Sequence, residues 1–232
     1  MRETIFLSPP PHTRTRALCT RKHSLTHTHT TLGPRIPSWI TPEATLTLDS
    51  TPIKIPPSSI GEFLPIPLPE GSSTIEFFTA PTVRLTPSYN GSVVVSRGAL
   101  IFSLLMAEDV VVASTPYPAY PAGKNYKVTP TTAWNYALVI SDVSAPWNSF
   151  NFTRHAPPGA QPFAGGGGIP VTMTAWARKV GTWGEERNGA GPPPASPVCG
   201  STSDQCGELE MVTLVPHGST LLRMTAMPYS HS

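Results

Sequence analysis

Cys199 and Cys206 flank Gly-Ser-Thr-Ser-Asp-Gln. Two thiols at that spacing can close a small disulfide loop in an oxidising compartment, and stay free in a reducing one. Cys19 stands alone, so the three cysteines form no metal-ligand spacing and no metal site is assigned. His23, His27 and His29 lie in a Thr-His repeat, a composition more usual for solvated chain than for a metal site. Tyr117, Tyr120 and Tyr126 crowd a proline-rich stretch, with Trp147 beyond it. Exposed aromatic rings on a stiff loop can stack on the apolar faces of sugars, so these four are the carbohydrate-contact candidates; the structural alternative is that the rings cover a sheet edge.

Acid/base candidates are sparse. Glycoside hydrolysis ordinarily needs two carboxyl groups about 5–10 Å apart across the scissile bond. Glu108 and Asp109 are adjacent, which on a strand turns them to opposite faces. Glu185-Glu186 follow Trp183-Gly184 and read as a solvated turn, and Glu208 and Glu210 share one strand face without further ligands. His155 and His217 lack the signature of a nucleophile partner, and no Gly-x-Ser-x-Gly elbow occurs. Gly165–Gly168 lacks the Gly-Lys-Ser/Thr of a phosphate-binding loop. No catalytic residue is assigned. Asn90-Gly91-Ser92 and Asn151-Phe152-Thr153 are acceptor triplets for N-glycosylation.

The elements that must position these residues are strands. The chain holds 29 prolines and 18 glycines in 232 residues, a composition that breaks helices and favours turn-rich β structure. Val93, Val95, Leu100, Phe102 and Leu104 alternate as a half-buried strand does, interrupted by Arg97-Gly98, which reads as a kink. Further strands are expected at Arg35–Trp39, Ala44–Leu48, Gly61–Ile66, Ser73–Phe78, Trp134–Ile140, Phe150–Phe152, Ile169–Arg178 and Glu210–Met224. Residues 1–31 carry Pro9-Pro10-Pro11 and the Thr-His repeat, and read as a disordered low-complexity tail. That tail holds Arg2, Arg14, Arg16, Arg21 and Lys22 against Glu3, so the formal charge of +2 misleads and the remainder is slightly acidic. A nucleic-acid surface is excluded on that ground, and no apolar run is long enough for a membrane-spanning helix.

Four stretches also carry a family likeness. Arg35-Ile36-Pro37-Ser38-Trp39, Arg97-Gly98-Ala99-Leu100-Ile101-Phe102, Trp134-Asn135-Tyr136-Ala137-Leu138 and Val212–Arg223 resemble, in order, segments of the glycoside hydrolase 127 family of β-L-arabinofuranosidase-like proteins, also called DUF1680. Ala99 stands where that family usually has proline, and His217 where it usually has tyrosine. The resemblance implies the family's C-terminal β-sandwich portion. The general-acid glutamate and zinc-bound cysteine nucleophile would lie in an upstream helical barrel, and nothing in this chain matches them.

The expected fold is therefore all-β, with two consecutive β-sandwich-like modules behind a disordered N-terminal tail: 1–31 the tail, 32–112 the first module, 113–232 the second. The expected function is that of a non-catalytic C-terminal fragment of a glycoside hydrolase 127-like protein. Its partner would be the helical catalytic barrel of the same parent, its glycans plant-type, and it would hold no cofactor of its own. Two alternatives are a free-standing carbohydrate-binding module and a structural or interaction fragment. Secretion is the expectation for a full-length parent.

Overall fold

The computed structural model describes residues 19–27, 30–116, 119–120, 123–155, 168–187, 189–200 and 206–231. Among them there is no α-helix; strands and short 3-10 turns make up all the regular structure. The chain is all-β and divides into two compact units, residues 1–82 and 83–232.

The first unit contains β1 (Cys19–His27), β2 (Thr30–Leu32), β3 (Thr45–Leu48), β4 (Thr51–Ile53), β5 (Ile66–Leu68) and β6 (Gly71–Thr79). Four of these form an antiparallel sheet in the order β1-β6-β3-β4, and β2 pairs with β5. The core is aliphatic: Ile36, Leu46, Leu64, Ile66, Leu68 and Ile75 pack together. Residues 1–18, 28 and 29 of the expected tail lie outside the described ones, while residues 19–27, 30 and 31 of it are paired in strands. Cys19–His27 pairs with the whole of Gly71–Thr79, and Thr30–Leu32 pairs with Ile66–Leu68. Ladder hydrogen bonds require only backbone groups, and threonine suits an extended chain, so polar composition does not bar a strand. Arg35–Trp39 is not a strand. Pro34 and Pro37 remove two donors, leaving one bridge, Arg35 to Phe63, while Ile36 is buried completely.

The second unit contains β7 (Val83–Pro87), β8 (Val93–Arg97), β9 (Leu100–Leu104), β10 (Glu108–Ser114), β11 (Asn125–Pro130), β12 (Tyr136–Val139), β13 (Phe150–Arg154), β14 (Val171–Val180), β15 (Glu185–Glu186), β16 (Gly189–Ala190), β17 (Cys206–Pro216), β18 (Ala226–Met227) and β19 (Tyr229–Ser230). Its main sheet runs β18-β8-β9-β17-β14-β12-β19, with β7 added on β8 and β13 on β14. The sheet forks at β14, whose long edge serves β13 with residues 171–175 and β12 with residues 177–179. Alternation along β14 buries Met173, Ala175 and Ala177 and turns Trp176 outward.

Two boundaries differ from the expected ones. The Val93–Leu104 segment belongs to the second unit, because β8 pairs with β18 and β9 with β17, so the division falls after Thr82 rather than after residue 112. Arg97-Gly98 is also not a kink within one strand direction. Arg97 pairs with Leu100, so Gly98-Ala99 is a two-residue hairpin loop. Gly98 has φ +60° at the first central position, where such a hairpin favours glycine.

The last strands join the two ends of the sheet. β18 pairs antiparallel with β8, and β19, one residue later, pairs parallel with β12. Between them Pro228 accepts a hydrogen bond from Leu138 N at 2.9 Å, and Met227 is buried completely in the core. Met227→Ala should therefore cost about 2–5 kcal/mol, read as a lowered urea midpoint with an unchanged slope.

Candidate functional site

The residues singled out for chemistry are spread over the second unit, and the structure brings few of them together. Tyr117 lies outside the described residues. Tyr120 is 72% exposed on a turn in which Gly123 N donates to Tyr120 O. Tyr126 sits on β11 opposite Val112 and is 56% exposed. Trp147 is half-exposed on another element, the 3-10 turn Pro146–Ser149 that leads into β13. Cys199 and Cys206 are disulfide-bonded, with Cα atoms 5.7 Å apart, and the bond ties the start of β17 to the irregular segment before it.

His217 gains partners that its sequence neighbours do not suggest. Ser103 Oγ lies 3.1 Å from His217 Nδ1, and Thr225 Oγ1 lies 3.0 Å from the same nitrogen and 2.8 Å from Ser103 Oγ. A serine beside an imidazole raises the question of nucleophilic catalysis. Two features argue against it. Ser103 is wholly buried, so substrate cannot reach its oxygen, and both hydroxyls engage the same ring nitrogen. The cluster is a polar tie between β9 and the chain that follows β17. A shallow cleft of about 240 Å³ beside it is lined by Ala99, Leu100, Ile101, Pro216, His217 and Gly218, and offers a ligand mainly apolar surface.

The carboxylates also serve structure. One oxygen of Glu108 accepts from Thr220 Oγ1, from Leu221 N at 3.0 Å and from Leu222 N at 2.9 Å, so it caps the turn after His217–Ser219. Tyr136 donates its phenol proton to Glu210 Oε2 at 2.9 Å. Burial, then that hydrogen bond and the Glu210 charge, raise the Tyr136 pKa above its ordinary 10.0. Glu108 and Glu210 lie on separate strands, β10 and β17, and each is engaged by hydrogen bonds within the fold. Among the described residues, no group of three or more His, Cys, Asp and Glu side chains is placed to hold a metal ion, and the two paired cysteines spend their sulfurs on each other. These donors do not fit a zinc–thiolate centre.

A basic pair closes one end of the main core. The Arg97 guanidinium lies 3.9 Å from the centroid of Phe152, a cation–π contact. Desolvation, with the nearby charge of Arg154 second, lowers the Arg97 pKa to about 10. At another point of the unit, Trp134 meets Trp183 edge to face at 5.1 Å, and Asn135 Nδ2 donates to Val180 O and Trp183 O at 2.8 and 3.2 Å. Trp183 in turn donates from Nε1 to Gly191 O at 2.8 Å. In the first unit, a cleft of about 420 Å³ has Lys54 as the only charged residue of its lining.

No protein-family model matches the chain, and no curated protein matches its sequence. Solved structures do match its fold. One described as a glycoside hydrolase superposes with a TM-score of 0.52 at 16% identity, over 91% of this chain and 30% of its own. A GH127 β-L-arabinofuranosidase from Geobacillus stearothermophilus T6 gives 0.51 at 16% identity, over 92% of this chain and 28% of its own. The chain shares its fold with part of a family 127 glycoside hydrolase. It spans less than a third of either matched structure.

In this family 127-like fold, the stretches that carry the sequence likeness serve packing and turns. Ile36 fills the first core, Gly98 reverses a hairpin, Trp134-Asn135 fastens the turn after β14, and Leu214 and Val215 are fully buried in β17. Sequence reasoning passed over Trp176, which is 47% exposed on the outer face of β14 opposite Met211. Strict alternation from Met173 and Ala175 already placed it there.

Two measurements test this assignment of roles. Glu108→Ala should lower stability by about 1–3 kcal/mol, because it leaves two backbone donors and a hydroxyl without their acceptor; Glu108→Gln, which keeps an acceptor oxygen, should cost less. For Tyr136 the sign follows from its raised pKa. The fold holds the phenol proton more tightly than the unfolded chain does, so the contribution is complete below about pH 10 and declines as pH rises through the folded value. Wild type should therefore lose more stability than Tyr136→Phe between pH 9.5 and 11, measured by urea titration at each pH.

Proposed function

We propose that this chain is a non-catalytic β portion of a glycoside hydrolase 127-like protein, whose complete form hydrolyses β-L-arabinofuranoside-type bonds. One observation carries the reading: almost the whole of this chain superposes on less than a third of a GH127 β-L-arabinofuranosidase. The four stretches with sequence likeness to that family lie in the same chain, in the family's order. On this reading the partner is a helical catalytic barrel of the same parent, which supplies the acid and the zinc-bound thiolate, and the substrates are plant-type glycans.

The chain alone then lacks the groups that break the bond. Release of 4-nitrophenol from a panel of aryl glycosides, arabinofuranosides included, should equal that of a heat-killed control with and without added zinc. Turnover above the control that is abolished by Glu210→Gln would overturn the reading. A carbohydrate-binding role draws on a separate observation, the exposure of Tyr126 and Trp147. Affinity electrophoresis in arabinan-containing gels distinguishes it: retardation lost in Tyr126→Ala or Trp147→Ala supports glycan contact, and unretarded migration supports a purely structural role.

A further inference from the structure

We propose that Asn151 is an N-glycan attachment site and that the first sugar of the glycan lies on the indole of Trp176. The acceptor triplet Asn151-Phe152-Thr153 lies within β13, which among the described residues pairs with β14 on one side. Alternation along this strand divides the triplet. Phe152 turns inward and is covered by Arg97, while Asn151 and Thr153 are both exposed. The acceptor amide and the threonine of the triplet thus stand on one outward face, where the folded strand leaves room for a glycan.

The same face offers the sugar a seat. Asn151 pairs with Thr174, which makes Trp176 its diagonal neighbour on β14. Diagonal positions on one face are roughly 7–8 Å apart, within reach of a side chain lengthened by a sugar ring. Trp176 is half-exposed, and Met211, directly across on β17, is also exposed. Together they form an apolar strip beside the acceptor residue. An N-acetylglucosamine presents an apolar ring face to such a surface and keeps its hydroxyls in water.

A second, independent feature points to the compartment where such transfer occurs. Cys199 and Cys206 of the same unit are disulfide-bonded, and persistent disulfides belong to oxidising, secretory settings. The other triplet is built differently. Asn90 Nδ2 donates to Pro193 O at 2.9 Å, its own carbonyl accepts from Ser196 N at 2.9 Å, and its φ is +53°. A sugar on that nitrogen would meet the Pro192-Pro193-Pro194 chain.

The reaction adds one bond and breaks one. Asn151 Nδ2 bonds to the anomeric carbon of a lipid-pyrophosphate-linked oligosaccharide, the bond from that carbon to the pyrophosphate oxygen breaks, and its electron pair leaves with the lipid pyrophosphate as the amide gives up one proton. The test is to produce the full chain behind a cleavable secretion leader in a eukaryotic host and treat the protein, from medium or endoplasmic reticulum, with peptide N-glycosidase. The expected result is loss of a glycan mass with conversion of Asn151 to Asp. Asn151→Gln and Thr153→Ala should each lack the modification on that peptide. Enzymatic removal of the glycan should lower the wild-type melting temperature by about 2 °C and leave that of Trp176→Ala unmoved. An unmodified Asn151, or a glycan found at Asn90 alone, overturns the site. Equal melting shifts in wild type and Trp176→Ala, or none in either, overturn the stacking.

Discussion

The larger sheet depends on the short run from Ala226 to Ser230. Its first two residues extend one end of the sheet on β8, and its last two extend the other end on β12. An open sheet presents unpaired donors and acceptors along its edges; here one segment covers part of the β12 edge and fills the side of β8 that faces away from β7. Leu138 N and Ile140 N find acceptors at Pro228 and Ser230, while Val198 N finds Tyr229 O, so the segment also holds the chain that precedes the disulfide. Met227 adds a buried side chain between the two pairings. Curling follows from this stitch: β8 and β12, far apart in strand order, must both reach one pentapeptide.

Much of this was legible. Alternation placed Val93, Val95, Phe102 and Leu104 on the inner face, and Met173 and Ala175 likewise, because period-2 burial is a local signal. The pairing of Cys199 with Cys206 was an open possibility at their spacing and is a bond in the structure. What escaped was set by distant partners. The Gly98-Ala99 reversal depends on Arg97 meeting Leu100, and a glycine within an apolar run fits a bulge equally well. The strand at Cys19–His27 has little apolar content and exists through its ladder with Gly71–Thr79. Ser103 meets His217 and Thr225 across more than a hundred residues, a meeting that the adjacency of β9 and β17 arranges.

The aromatic candidates are read from residue type and loop composition, which carry no information on distance. Tyr120, Tyr126 and Trp147 are exposed, but they occupy separate elements and form no recorded cluster, because β10–β11 is a sheet of its own while Trp147 belongs to the approach to β13. Each stretch with family likeness places at least one side chain wholly in a core: Ile36, Phe102, Leu138 and Leu214. Side chains that fill cores, cap turns and reverse hairpins are constrained by their neighbours in the fold, and such constraint identifies an architecture without identifying a reaction.

The hairpin of β10 and β11 carries a cost of a different kind. Val110, Val111 and Val112 are each about half-exposed, and among the described residues the ribbon pairs with no third strand. Consecutive β-branched residues on an unpaired edge are the composition from which cross-β stacking grows. Asp109 before the valines, and Lys127 opposite Val111, place charges where they oppose such growth. Salt that screens those charges weakens this protection, so the ribbon is the place where added salt should promote stacking between copies of the chain.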